Sequence, residues 1–104
     1  GVCFHVGSQC MQPEAYSVAI ERTAELLEKA NVRVDMLDIG GGFPSIYPGI
    51  MPQPLGQYMK AIKKSLAKTQ AQFGHCQLIA EPGRALVAEG GSVVVRVELR
   101  KGNA

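Results

Sequence analysis

Along this chain the apolar positions switch between a period of two and a period of three to four. In Gly1 to Val6, residues Val2, Phe4 and Val6 alternate with Cys3 and His5, which predicts a strand with two different faces. Gly7-Ser8-Gln9 is the turn leaving it. Pro13 suits the first turn of a helix, and Tyr16, Ala19, Ile20, Thr23, Leu27 and Ala30 continue that helix at three-to-four spacing until Asn31 stops it. Val32 to Ile39 predicts a second strand, interrupted by Asp35 and Asp38 and ended by three glycines. Phe43 to Pro54 carries four prolines and predicts an irregular loop, either a surface connection or a segment closing over a ligand. Leu55, Met59, Ile62, Leu66 and Phe73 return to helical spacing, with Lys60, Lys63, Lys64 and Lys68 on the opposite, solvated side. The predicted helix covers 55–73. Gln77 to Glu81 predicts a third strand, Arg84 to Glu89 a short helical turn, and Gly90-Gly91 its end. From Ser92 to Arg100, Val93, Val95, Val97 and Leu99 alternate with Val94, Arg96, Glu98 and Arg100, the pattern of a half-buried strand.

Strand, helix and connections together consume roughly 30 or more residues in a βα unit, so strand ends recur at about that interval. Three polar motifs recur in this way. Phe4 to Gln9 reads Phe-His-Val-Gly-Ser-Gln, Leu37 to Pro44 reads Leu-Asp-Ile-Gly-Gly-Gly-Phe-Pro, and Ala80 to Arg84 reads Ala-Glu-Pro-Gly-Arg, each at the C-terminal end of an apolar run. In parallel α/β folds those ends share one rim, where binding loops collect. Glycines without side chains let backbone N–H groups approach an anion closely. Backbone amides at Gly41 and Gly42, the Ser8 hydroxyl and the Arg84 guanidinium therefore form a candidate phosphate cup. Each has a plainer alternative: Ser8 capping a turn, Gly42 permitting an unusual dihedral, Arg84 pairing with Glu89, Glu81 closing a strand, and His5 sitting in a core.

The three motifs, in this order and spacing, resemble the ornithine, diaminopimelate and arginine decarboxylases, the fold type III pyridoxal-phosphate enzymes. The proline after Gly-Gly-Gly-Phe is most similar to the ornithine or lysine decarboxylase branch. The resemblance implies an α/β fold, a partial alanine-racemase-like (TIM-type) β/α barrel whose last strand leads toward a C-terminal β domain. Residues 1–91 would be the C-terminal part of the barrel and bind pyridoxal 5'-phosphate, and 92–104 the strand leading into the β domain. The resemblance also implies the site: His5 against the cofactor ring, Glu81 beside the pyridine nitrogen, and Ser8, Gly42 and Arg84 on the phosphate, with Gly41, Pro82 and Gly83 completing the expected cofactor-binding set. The ring then becomes a stronger electron sink, because a neighbouring carboxylate favours the protonated nitrogen. The Schiff-base lysine of the family lies upstream of these motifs, and its substrate-gripping residues come from the C-terminal domain and a second subunit. The chain is therefore expected to be an inactive segment of a homodimeric carboxy-lyase converting ornithine or lysine to putrescine or cadaverine in polyamine synthesis. Diaminopimelate, arginine or carboxynorspermidine decarboxylation, a non-catalytic regulatory relative, and a barrel for another phosphorylated ligand are the alternatives.

Composition narrows the class without changing it. At 46% hydrophobic and 19% charged residues the 104-residue chain is ordinary globular material. A net charge of +2 is too small to indicate nucleic acid. No apolar run approaches the roughly 20 residues that cross a bilayer. Cys3, Cys10 and Cys76 match no zinc spacing and read as reduced thiols, with Cys10 bordering the Ser8 turn, so a cytoplasmic setting is expected. His75 reads as a surface residue. Three βα units cannot close an eight-stranded barrel, so open sheet edges and uncovered apolar faces are also expected.

Overall fold

The computed structural model describes residues 1–102. Strands β1 (Val2–Cys3), β2 (Met36–Asp38) and β3 (Gln77–Ile79) form one parallel sheet in the order β1-β2-β3. Between them run α1 (Glu14–Ala30), then α2 (Leu55–Lys68) and α3 (Gln70–Phe73). After β3 come α4 (Gly83–Val87) and a 3-10 turn, Ala88–Gly90. Sequential parallel strands joined by helical crossovers are the arrangement predicted from the alternating periods.

The register sorts the side chains into two faces. Val2 pairs with Leu37 and Leu37 with Leu78, while Cys3 pairs with Asp38 and Asp38 with Ile79. Leu37 and Ile39 enter the core against Tyr16, Ile20, Ala24 and Leu27 of α1 and Tyr58 and Ile62 of α2, with Phe73 closing it. Val2 of β1, and Phe4 and Val6 in the segment that follows it, pack on this core. Each large apolar side chain buried in this way contributes about 1.5 to 3 kcal/mol. Cys3, Met36, Asp38, Gln77 and Ile79 occupy the opposite, helix-free face.

Several predicted boundaries moved. Asn31 does stop α1, in a left-handed conformation (φ 52°) with the Val32 amide donating back to the Leu27 carbonyl. The second strand begins only at Met36, although the Asp35 carbonyl just before it already accepts from the Gln77 amide at 2.8 Å. The helix expected over 55–73 breaks at Thr69, whose hydroxyl and amide both donate to the Ser65 carbonyl, at 2.8 and 3.0 Å. Tyr58 and Ser65, rather than Leu55, join its buried face. The four lysines are exposed, as expected. The loop at 43–54 contains a tight turn, with Tyr47 and Ile50 bridged around Pro48-Gly49 and Gly49 at φ +78°.

The largest difference is the expected strand from Ser92 to Arg100, where no strand forms. Val93, Val95, Val97 and Leu99 are each at least 77% exposed. A strand exists only through its ladder partners, and among the described residues this segment meets none. Its alternation survives locally, since Arg96 and Glu98, two apart, meet at 3.5 Å on one side. Positions 103 and 104 of the expected strand region 92–104 lie outside the described residues.

Candidate functional site

Two residues beyond the paired row Cys3, Asp38 and Ile79 the same register sets His5, Gly40 and Glu81 side by side at the strand ends. The ladder continues into this row, with the Phe4 amide donating to Asp38, Ile39 to Ile79 and Glu81 to Gly40. The carbonyl of Gly42 then accepts from the Cys10 amide at 2.8 Å, joining the glycine loop to the turn after β1. All three motifs therefore meet on one rim.

The glycine loop is held by its three carbonyls and by the Gly40 amide, which donates to Asp38 Oδ1 at 2.8 Å, and it leaves the amides of Gly41 and Gly42 open. Gly40 O accepts from the Glu81 amide, Gly41 O from the buried Tyr16 hydroxyl at 2.8 Å, and Gly42 O from Cys10. Among the described residues, no group accepts from the N–H of Gly41 or Gly42, although Gly41 is buried. Unpaired buried amides are rare and call for an acceptor. Side chains are excluded here on steric grounds: a Cβ on Gly41 would sit 2.6 Å from the Glu81 carbonyl oxygen, and one on Gly42, at φ +96°, would run into the Gly7 carbonyl. Behind the loop, the Tyr16 and Phe43 rings stack at 4.8 Å and Tyr58 meets both edge-on. Burial pushes the Tyr16 hydroxyl well above the ordinary tyrosine range, so it stays a neutral donor.

Arg84 closes the cup from α4. Its Nη2 donates to Ser8 Oγ at 2.7 Å and its Nη1 approaches Gln9 Oε1 at 3.4 Å, while the guanidinium lies 5.8 Å from the Tyr47 ring centre. The alternative partner Glu89 is not used, and Ser8 accepts from Arg84 rather than capping a turn. The His5 ring is exposed on the helix-free face; its Nδ1 accepts from the Gly7 amide at 3.0 Å, and its Nε2 lies beside the glycine loop, 3.5 Å from where a Cβ on Gly41 would stand. Glu81 is exposed on the same face, and no side-chain bond ties it to a neighbouring turn among the described residues. Pro82 and Gly83 make the tight bend between them, with the Gly83 amide returning to the Glu81 carbonyl.

Donors on three strand ends, one of them a guanidinium, suit a phosphate, and an exposed imidazole and carboxylate beside them suit a flat heteroaromatic ring carrying it. Pyridoxal phosphate fits this donor set. Sequence reasoning missed Gln9, Tyr16, Ser45 and Tyr47 as parts of the site. Tyr16 had the signal of a core position only, and Ser45 and Tyr47 lie in an aperiodic loop. Cys10 contributes through its backbone, while its thiol approaches Gln12 O at 3.4 Å. His75 is exposed and 2.9 Å from the Val34 carbonyl, remote from this rim in the fold.

Residues 1–88 match the family model described as pyridoxal-dependent decarboxylase, pyridoxal binding domain. Among curated proteins, the diaminopimelate decarboxylase of Pseudomonas aeruginosa is 35% identical over 104 residues, covering 97% of this chain and 24% of that protein. Antizyme inhibitor 2 of Xenopus laevis is 36% identical, covering 97% of this chain and 22% of that protein. Among solved structures, the lysine/ornithine decarboxylase of Vibrio vulnificus complexed with putrescine superposes with a TM-score of 0.66 at 33% identity, over 83% of this chain and 24% of that one. The chain thus spans about a quarter of the length of the relatives it matches.

Proposed function

Because the chain belongs to the pyridoxal-dependent decarboxylase family, as part of its pyridoxal-binding barrel domain, we propose that the intact protein is a pyridoxal-phosphate-dependent carboxy-lyase for a small basic amino acid. Ornithine or lysine is the proposed substrate, giving putrescine or cadaverine for polyamine synthesis in the cytoplasm, and the working unit is a homodimer. The observation that carries the reading is the pair of unbonded amides at Gly41 and Gly42 in a loop whose carbonyls are all occupied, beside the Ser8–Arg84 pair.

In this reading Ser8, Gly41, Gly42 and Arg84 bind the phosphate, Arg84 as a charged fork and the others as neutral donors, while Gly83, its amide held by the Glu81 carbonyl, completes the bend that brings Arg84 to the cup. His5 covers one face of the ring, and Pro82 sets the bend that aims Glu81. Glu81 holds a proton on the pyridine nitrogen by direct charge attraction. The bound cofactor supplies the electron sink for loss of carbon dioxide. The lysine that carries the cofactor and the groups that recognise the substrate's distal end would come from other parts of the intact protein.

Diaminopimelate is the second reading, supported by the Pseudomonas relative and leading toward lysine synthesis instead. A non-catalytic role, suggested by the likeness to antizyme inhibitor 2, is disfavoured by the complete set of Ser8, Gly42, Glu81 and Arg84. The test is a panel of ornithine, lysine, diaminopimelate and arginine offered to the intact protein with cofactor, reading carbon dioxide release. Arg84→Ala should weaken cofactor affinity about ten- to a hundredfold, the loss of charge-assisted bonds, and recover much activity in excess cofactor. Glu81→Ala should stay slow at saturating cofactor. Near-normal turnover of Glu81→Ala would remove that residue's role, and no turnover with any of the substrates would remove the enzyme reading.

A further inference from the structure

We propose that Gln9 is the positioning residue of the phosphate cup, latching the proline-rich loop to the turn after β1 so that Arg84 is held in place. This rests on the cofactor reading above. The latch is reciprocal: Gln9 Nε2 donates to the Ser45 carbonyl at 2.6 Å, and Gln9 Oε1 accepts from the Ser45 amide at 3.1 Å. A side-chain amide here does what a strand neighbour would do, satisfying both polar groups of one peptide position. Ser45 is only 5% exposed, so without Gln9 those groups would be buried without a partner.

The second lone pair of Oε1 faces Arg84 Nη1 at 3.4 Å, while Arg84 Nη2 is on Ser8 at 2.7 Å. Two residues past Ser45, the Tyr47 ring lies 5.8 Å from the same guanidinium. One side chain therefore connects every element around Arg84: the Ser8 turn, the loop bearing Tyr47 and α4. Gln9 itself stands in the left-handed region at φ 54°, a conformation that persists where surroundings over-determine it. The requirement is for an amide rather than a carboxylate. A glutamate would lose the donor to Ser45 and would set a negative charge against Arg84, in competition with the phosphate.

The experiment strips cofactor from the intact protein and titrates it with pyridoxal phosphate and, separately, with pyridoxal, which lacks the phosphate. Gln9→Met keeps the length and removes both hydrogen bonds to Ser45 and the contact with Arg84; it should weaken pyridoxal phosphate binding roughly tenfold and leave pyridoxal binding nearly unchanged. Faster exchange of the Ser45 amide in the cofactor-free variant should accompany it. Gln9→Glu retains the acceptor for the Ser45 amide and so tests the same site should the methionine variant fail to fold; it should lose phosphate preference at least as strongly. Unchanged preference for pyridoxal phosphate in a folded variant, or equal loss of both ligands, would overturn the role of Gln9. A wild-type protein that binds the two ligands equally would overturn the cofactor reading and this inference with it.

Discussion

Tyr16 shows how a single core residue reaches the site. It is fully buried, it stacks on Phe43, and its hydroxyl holds the carbonyl of Gly41 at 2.8 Å. Tyr16→Phe keeps the packing and leaves that buried carbonyl without its donor, so the intact protein should lose about 1 to 3 kcal/mol of stability. Chemical denaturation measures this directly. The pH dependence has a definite sign: burial raises the folded-state tyrosine above its unfolded value, so its contribution is complete below the unfolded range near about pH 10 and is lost as pH rises beyond it. Wild-type stability should fall on the alkaline side more steeply than that of Tyr16→Phe. Parallel curves for the two proteins would show that another group controls alkaline unfolding.

At the scale of elements, α1 and α2 meet through an apolar stripe edged by a polar cluster. Ser65 Oγ and Lys68 Nζ both donate to Glu21 Oε1, at 3.1 and 2.9 Å, and Ser17 reaches the Ala61 carbonyl at 3.3 Å. The hydrogen bond from Lys68, followed by that from Ser65, holds the Glu21 carboxyl below the ordinary glutamate range. A depressed folded value means stability that is present above the unfolded value and lost as pH falls through the folded one. Carboxyl carbon NMR should place the Glu21 midpoint below an ordinary glutamate, and Lys68→Met should move it upward. A midpoint indifferent to Lys68 would show that the ion pair is screened away in solution.

The whole molecule is more extended than its length requires. Its radius of gyration is 17.2 Å, against about 13 Å for a compact domain of this size. The segment after Gly91 forms no ladder among the described residues, and Val94 in it is 98% exposed. The helix-free sheet face and exposed Leu78, Leu86 and Val87 add to the uncovered apolar surface. The 104-residue chain on its own should therefore associate or unfold with weak cooperativity, which light scattering and thermal unfolding would register. A cooperatively unfolding monomer would mean that these surfaces find cover within the chain.

Much of the candidate site was legible in the sequence because its signals are local. Strand ends follow from the change of period, glycines mark where backbones touch, Asn31 and Pro48-Gly49 mark a cap and a turn, and the motif residues His5, Ser8, Gly42, Glu81 and Arg84 sit at those places. Only the tertiary structure decided which of them meet. Ser8 and Arg84 are separated by 76 positions, and Gln9 and Ser45 by 36, so their pairing depends on parallel register and on the packing of α4, which no local pattern encodes. The same distinction explains the segment after Gly91: alternation specifies two faces, but hydrogen bonds to a neighbouring strand make a strand, and that neighbour is a property of the assembled fold.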